Sequence, residues 1–517
     1  MAETDADTDT DTIVGDADAT LRRDLKSHHL QMIVIGGTVG TGLFLASGGN
    51  IASAGPLGAL AAYLLVGLLV YCTTSCLGEM STYIPISGGL SHFAGRFVDP
   101  ALAFALGWNY WLSWIVTIGV EMAAAGIVIS FWSPSLPTLL MPILLFVGII
   151  GLNCLNVRYY GEIEFWLAMI KIVMCVMFIF VSILFNVGFL GSSRQYIGFR
   201  YWQSPGAFNG DAPAFFHVMI AAAFSFQGTE LLGIVAGEAE NPSKSIPKAI
   251  RSVPWRILLL YISVIFMIGI NIPFNDAELG SQSGEDPKYS PFTLILSRAG
   301  SNLGSHLVNA VVLTAVLSAC NSDLYSCSRT LRTLAIEGKA PALFSRVNGQ
   351  GVPILAVLAS GLIGGTAMIA VVASGSASAF VWLLNFSGVV GLLSWMSIGI
   401  SSLRFRLAHA AQARKQEKLD HRAPFFPLPH CITIGGCILL VILQGYSTLA
   451  TPGSHGSDLF SAYCGILPFT LAYLGYKLTK GTKLVALEEV DLDTGRPRVA
   501  PWIKSSLDSS ARSNEII

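Results

Sequence analysis

Residues 36–42 read Gly36-Gly37-Thr38-Val39-Gly40-Thr41-Gly42, four glycines in seven positions, within an apolar run from about position 30 to 50. Each glycine in a helix interior costs about 1 kcal/mol relative to alanine, so a helix entering this stretch is expected to come apart. Unwound backbone at membrane depth survives only where it is buried in protein or lines a cavity, and its freed N–H groups then become available to bind. The positive end of the second half-helix adds to the attraction for an anion. Thr41 and Gly42, with Gly40, are therefore candidates for contact with a carboxylate. Glycines that serve only close helix packing are the competing reading.

A matching interruption lies further on, at Phe224-Ser225-Phe226-Gln227-Gly228-Thr229-Glu230, where a glycine flanked by polar residues breaks an apolar helix that began at Ala212-Pro213. The two stretches fall in the first and sixth apolar spans, which correspond if spans 1–5 and 6–10 are inverted repeats. Discontinuous helices in matching positions of two halves point to a binding site at the membrane midplane. Opened carbonyls near Thr38, Phe224 and Gln227 are candidates to receive an α-ammonium, with Ser225 and Phe226 in the same broken turn. Phe224 is also a candidate aromatic gate.

Composition supports a membrane setting. Mean hydropathy is +0.61 over 517 residues, with 53% hydrophobic and 12% charged residues, too little polar surface to cover a water-soluble globule. Runs of about 20 residues, enough to cross the hydrocarbon core, are expected near 30–50, 57–80, 101–131, 137–155, 163–189, 213–236, 253–274, 303–325, 353–373, 377–402, 430–448 and 458–477. The expected fold is thus an all-α membrane protein of about twelve transmembrane helices. With the N-terminus inside, roughly 25 Lys and Arg residues fall on the cytosolic side, and Arg194, Arg200, Lys288 and Arg298 fall outside. Both termini are then cytosolic. The net charge of −1 conceals an acidic first twenty residues, and no nucleic-acid-binding stripe is implied.

The nine cysteines fall in or beside apolar runs without zinc spacing, so they read as small buried hydrophobes, and no metal site is expected. No GxxxxGK[ST], HExxH or GxSxG pattern occurs, which leaves ATP-driven pumping and hydrolysis without machinery. The chain is not expected to be an enzyme. The sequon Asn385-Phe386-Ser387 sits inside a span, out of reach of glycosylation.

A charged side chain near the bilayer centre costs at least about 2.5–3.5 kcal/mol, which makes each one a functional candidate. Lys171 lies near the middle of span five, Glu121 in span three, Glu230 just past the second break, and Asp323 near the cytosolic end of span eight. Lys171 has three donors and a readily shifted pKa, so a proton arriving or leaving there suits gradient coupling, against the alternative of a permanent structural tie. Glu230 is equally a proton relay or a cap on the helix break. Asp323 reads as part of a polar hinge, and Glu79, at the end of span two, is equally a functional candidate or a carboxylate that simply reaches water.

These residues resemble the fungal amino acid permeases of the amino acid–polyamine–organocation superfamily, from Leu25 to about Asp493. The resemblance is carried by GGTVGTGLF at Gly36–Phe44, FSFQGTELLGIVAGEAENPSKSIPKAI at Phe224–Ile250, NSDLYSCSRTL at Asn321–Leu331 and WLLNFSGVVGLLSW at Trp382–Trp395. It implies a five-plus-five inverted-repeat core with discontinuous helices 1 and 6, two extra helices, and proton symport with no other cofactor. It places Lys171 where sodium-coupled relatives bind sodium. The FQGTEL string and span ten look most like permeases for basic amino acids, with Glu121 or Glu230 a candidate to pair with a cationic side chain, although similar glutamates occur in relatives with neutral substrates.

The expected organisation is an acidic cytosolic tail at 1–28, a transport core at 29–402, a cytosolic loop with helices 11 and 12 at 403–477, and a C-terminal tail at 478–517. The expected function is proton-coupled import of amino acids, lysine and arginine in particular, at the plasma membrane. Alternatives are a neutral or broad-specificity permease and an amino acid receptor with little net transport. Expected partners are the amino acid, the lipid bilayer, and trafficking or ubiquitin-ligase adaptors at the tails. The short acidic N-terminal tail, with Lys26 as its main lysine, departs from the lysine-rich tails of the family.

Overall fold

The computed structural model describes residues 22–496, apart from 87, 134, 136, 138, 192–193, 211, 281–289, 301, 375–376, 415–418, 420 and 451–455. Residues 1–21 and 497–517, the larger parts of the two expected tails, lie outside the described residues.

A backbone in lipid must satisfy its own N–H and C=O groups, and helices do so within one segment. Among the described residues the regular structure is accordingly helical, and extended backbone pairs at one parallel bridge, Leu25 with Ala239. Eight helices among the described residues are long and apolar enough to cross a bilayer, and Gly456–Tyr463 with Ile466–Lys480, bent by 55° at their junction, makes a ninth if the pair is one span. The other three expected spans are shorter or interrupted. They are Ser27–Thr38 with Thr41–Phe44, Leu140–Asn153, and Ala212–Ser225 with Leu231–Val235.

The fifth span, Val157–Asn186, shows how the sequence sets each helix in place. Gly161, Glu164, Ala168, Lys171, Cys175, Phe178 and Ser182 recur at spacings of three and four and are buried. Trp166, Ile170, Val173, Val176, Phe180 and Ile183 face outward. Lipid accepts the large apolar side chains, so small and polar residues collect on the face that meets neighbouring helices. Asn156 starts this helix by accepting the Arg158 N–H at 3.1 Å. Asp99 caps Pro100–Ser130 in the same way through the Ala101 N–H at 2.9 Å, and its other oxygen accepts from Lys477 of the last span at 2.5 Å.

Spans one and two are not separated by a loop. Ala46–Tyr83 runs through a kink at Gly55, whose φ of 77° precedes Pro56. A Cβ there would meet the Phe208 backbone at 2.7 Å, so the chain turns with the 208–209 segment packed into the bend. Of the two readings of Glu79, water does not hold: it is fully buried and pairs with Arg406 of span ten at 2.5 Å. A second buried pair, Glu238 with Arg329 at 3.0 Å, links the sixth and eighth spans, and the Tyr325 hydroxyl donates to Glu238 at 2.8 Å.

Candidate functional site

The glycine run breaks the first span as its composition dictates. The helix from Ser27 ends at Thr38, Val39 is extended, and Gly40, with φ −138° and ψ −145°, precedes a new helical turn at Thr41. The first amides of that turn, Thr41 and Gly42, have no carbonyl four residues back. The sixth span breaks at Phe226–Glu230, where Gly228 has φ +98°. The two breaks touch. A Cβ on Gly228 would lie 2.6 Å from the Gly37 oxygen, and one on Gly42 would lie 2.8 Å from Ser225 Cα.

Between them is a cavity of about 30 Å³ lined by Thr38, Gly40, Thr41, Gly42, Phe224, Ser225 and Gln227 from the breaks, and by Trp114, Thr117, Glu121 and Asp323 from spans three and eight. It holds about two water molecules, less than an amino acid, so occupation requires the surrounding helices to move. A smaller cavity of about 10 Å³, bounded by Gly88, Ser91, Tyr110 and Thr330, has no charged side chain on its wall.

Most of the site residues expected from sequence are therefore neighbours. Thr41 donates its hydroxyl to Glu121 Oε1 at 3.0 Å, tying the first break to span three. Gln227 donates to the Ser387 carbonyl at 3.0 Å and accepts from the Ser387 hydroxyl at 3.2 Å, tying the second break to span ten. Ser387 also lies 3.0 Å from the Thr117 hydroxyl. Phe226 points elsewhere. Its ring is buried against Tyr261 and Tyr63, with centroids 4.7 and 6.0 Å away, and is not on the cavity wall. Two of the carbonyls expected to receive an ammonium already accept hydrogen bonds. Thr38 O takes the Tyr261 hydroxyl at 3.0 Å and Phe224 O takes the Gln227 N–H at 3.1 Å, although each keeps a second lone pair.

Glu230 is off the cavity and sits in a satisfied pocket. It accepts the Gly228 N–H at 3.2 Å, the Trp395 indole N–H at 3.0 Å and the Tyr110 hydroxyl at 3.4 Å. That is the geometry of a cap on the broken turn, and of a carboxylate held by donors from three spans. Lys171 is fully buried, with its ammonium 2.5 Å from the Gly36 carbonyl, at the end of the first half-helix.

Several participants were not foreseen from sequence. Glu164 accepts from the Ser318 hydroxyl and from Asn321 at 3.0 Å, and Asn321 accepts from Asn153 at 2.8 Å, so spans four, five and eight share one polar network. Its signal was available, because seven residues separate Glu164 from Lys171 and place both on one helix face. Tyr261 of span seven contacts both breaks, with the Ser225 carbonyl 2.8 Å from its hydroxyl. Nothing in its sequence context marks it.

His28, His29 and Glu162 bring three metal-capable atoms within 4.8 Å of one another at the start of the first span. His29 Nδ1 accepts the Lys26 N–H at 3.4 Å and Nε2 faces Glu162 at 3.2 Å. An Nδ1 that accepts leaves the ring proton on Nε2, whereas a metal on Nε2 requires the proton on the other nitrogen. The group reads as a hydrogen-bonded helix start.

Residues 29–488 match the amino acid permease family. The chain is 42% identical to the lysine-specific permease of Escherichia coli over 91% of its own length and 96% of that protein. It is 38% identical to the basic amino-acid permease of Saccharomyces cerevisiae over 94% of its length and 86% of the relative's. It is 37% identical to the dicarboxylic amino acid permease of the same yeast over 93% and 81%. A multi-pass helical chain whose two broken helices face each other across a polar cavity, and most of whose length aligns with permeases, is a transporter and not an enzyme; it belongs to the amino acid permease family.

Proposed function

We propose that this permease imports basic amino acids across the plasma membrane by proton symport, with both termini in the cytosol. The observation that carries the proposal is the contact between the Lys171 ammonium and the Gly36 carbonyl. Loss of the lysine proton weakens the tie that holds the first break, and its return restores it, so protonation and the shape of the break are linked. The basic substrate class is supported by the relatives named for lysine and for basic amino acids, and by the acidic character of the cavity wall at Glu121 and Asp323. The excess of Lys and Arg in one set of loops supports the orientation. A relative named for dicarboxylic amino acids at similar identity favours a broad-specificity permease as the second reading.

The test is uptake of labelled lysine into a transport-deficient cell with and without an inward proton gradient, competed by arginine, proline, glutamate and leucine. Wild type should concentrate lysine when the gradient is present, and arginine should be the effective competitor. Lys171→Ala should lose gradient-driven accumulation while retaining lysine binding. Unchanged accumulation in that variant would reject the coupling role, and competition by neutral or acidic amino acids alone would reject the substrate class. Saturable binding without net uptake would identify a receptor.

A further inference from the structure

We propose that Asp323, which lines the cavity together with Glu121, receives the cationic end of the substrate's side chain; this rests on the basic-amino-acid reading above. Asp323 lies in the helix Asn302–Ile336, is 1% exposed and lines the cavity between the breaks. Among the described residues its Oδ2 has no hydrogen-bond partner. Glu121, 4% exposed on the same wall, uses Oε1 for the Thr41 hydroxyl and leaves Oε2 without a partner. The neighbouring carboxylates differ in this respect. Glu164 is held by Ser318 and Asn321, and Glu230 by Trp395, Tyr110 and the Gly228 amide.

A buried carboxylate oxygen without a donor is costly, and a cation that fills the cavity removes that cost. Lys171 does not fill this role in the structure: its ammonium bonds to the Gly36 carbonyl and, among the described residues, makes no hydrogen bond or ion pair with either of these carboxylates. The spacing fits a long cationic side chain. Ala319 faces Gly40 of the first break, and Asp323 lies four residues, about one helical turn or ~6 Å, further along the same face. A substrate whose charged head rests on the break therefore extends its side chain toward Asp323. Glu121 stands at the level of the head and of the side chain's first carbons, where the Thr41 hydrogen bond fixes it.

The experiment compares wild type with Asp323→Asn, measuring surface abundance, the KM for labelled lysine, and the concentrations of lysine and norleucine that halve uptake. Norleucine matches lysine without the ammonium. In Asp323→Asn the KM for lysine should rise about tenfold or more, the range for removing one partner of a buried charge pair. The norleucine-to-lysine inhibition ratio should fall by a similar factor. An unchanged lysine KM overturns the proposal, and so does an equal loss for both ligands, which would make Asp323 a structural hinge. If Asp323→Asn does not reach the membrane, Asp323→Glu, which keeps the charge and moves it inward by one methylene, takes its place. It should shift preference several-fold from lysine toward the shorter ornithine, and an unchanged preference overturns the proposal. Wild type that ignores lysine and arginine altogether would fail the basic-substrate reading first, a result separate from either variant's.

Discussion

Tyr261 is buried, and its hydroxyl stands 3.0 Å from the Thr38 carbonyl and 2.8 Å from the Ser225 carbonyl. A hydroxyl has one proton, so it donates fully to one of these two carbonyls at a time, and each belongs to a different broken helix. The residue is thus a link between the two breaks with two settings. Tyr261→Phe removes the link and leaves the ring packing with Tyr63 and Phe226 in place. One hydrogen bond contributes about 0.5–1.5 kcal/mol net, so the variant should remain folded with a modestly lower thermal stability. Its maximal lysine uptake rate should fall several-fold at normal surface abundance; a wild-type rate would mean that the breaks move without this link. Sequence could not have singled out Tyr261, because a tyrosine in an apolar span looks like core until its partners are known. Charged residues were easier to find, since the membrane penalises each one and so makes Lys171, Glu121, Glu230 and Asp323 conspicuous. What sequence left open was which atoms they meet, as Glu79 shows by pairing with Arg406 and Glu164 by escaping notice beside Lys171.

At the scale of helices, the breaks were legible because glycine clusters have a local energetic consequence that does not depend on the rest of the fold. The continuity of spans one and two through Gly55 was less so, because a Gly-Pro pair signals a turn equally well at a loop or at a kink. The close approach of the breaks yields a test. Gly228 has φ +98°, and a side chain there meets the Gly37 carbonyl oxygen at 2.6 Å and carbon at 2.8 Å. Gly228→Ala therefore combines a left-handed backbone, worth about 1–2 kcal/mol for a non-glycine residue, with a backbone clash that cannot be relieved by rotating a side chain. Uptake should fall at least about tenfold as the breaks are pushed apart. The control is Gly435, in the helix Leu428–Ala450, where an added Cβ meets nothing within 4 Å. Gly435→Ala should transport normally and be neutral or slightly stabilised, by up to about 1 kcal/mol. If both variants transport alike, contact between the breaks is not what shapes the site.

Over the whole molecule, part of the expected C-terminal tail packs against the segments that connect the spans. Residues 484–496 do not hang free. The Val485 N–H donates to Val98 O at 2.9 Å, Gln412 donates to Val490 O at 2.7 Å, and Val490 and Leu492 are buried. Arg414 grips both oxygens of Asp493 at 2.6 Å, and Arg96 reaches Asp491 at 2.9 Å. Arg96 belongs to the short helix Gly89–Phe97, whose first residue abuts the Gly233 carbonyl in the second half of the broken sixth span. Arg414 follows the end of span ten at Ala411. The tail thus clasps two elements that border the site, and motion of either must carry it along or release it. Burial pushes the Asp491 carboxyl up, but the Thr494 hydroxyl, the amides of Asp493 and Thr494, and Arg96 outweigh burial and hold it at about 2. A carboxyl depressed in the folded state contributes stability that is complete above its unfolded value, near 3.9, and is lost only as pH falls through the folded value. The clasp should therefore be indifferent to mild acidification. Limited proteolysis of the purified transporter should cut the chain after Lys480 equally slowly at pH 7 and pH 5, and faster in Arg96→Ala/Arg414→Ala. Faster cutting of wild type at pH 5 would show that the clasp depends on a group other than these carboxylates, and equal cutting of the double variant would show that the buried Val490 and Leu492 hold the tail without the arginines.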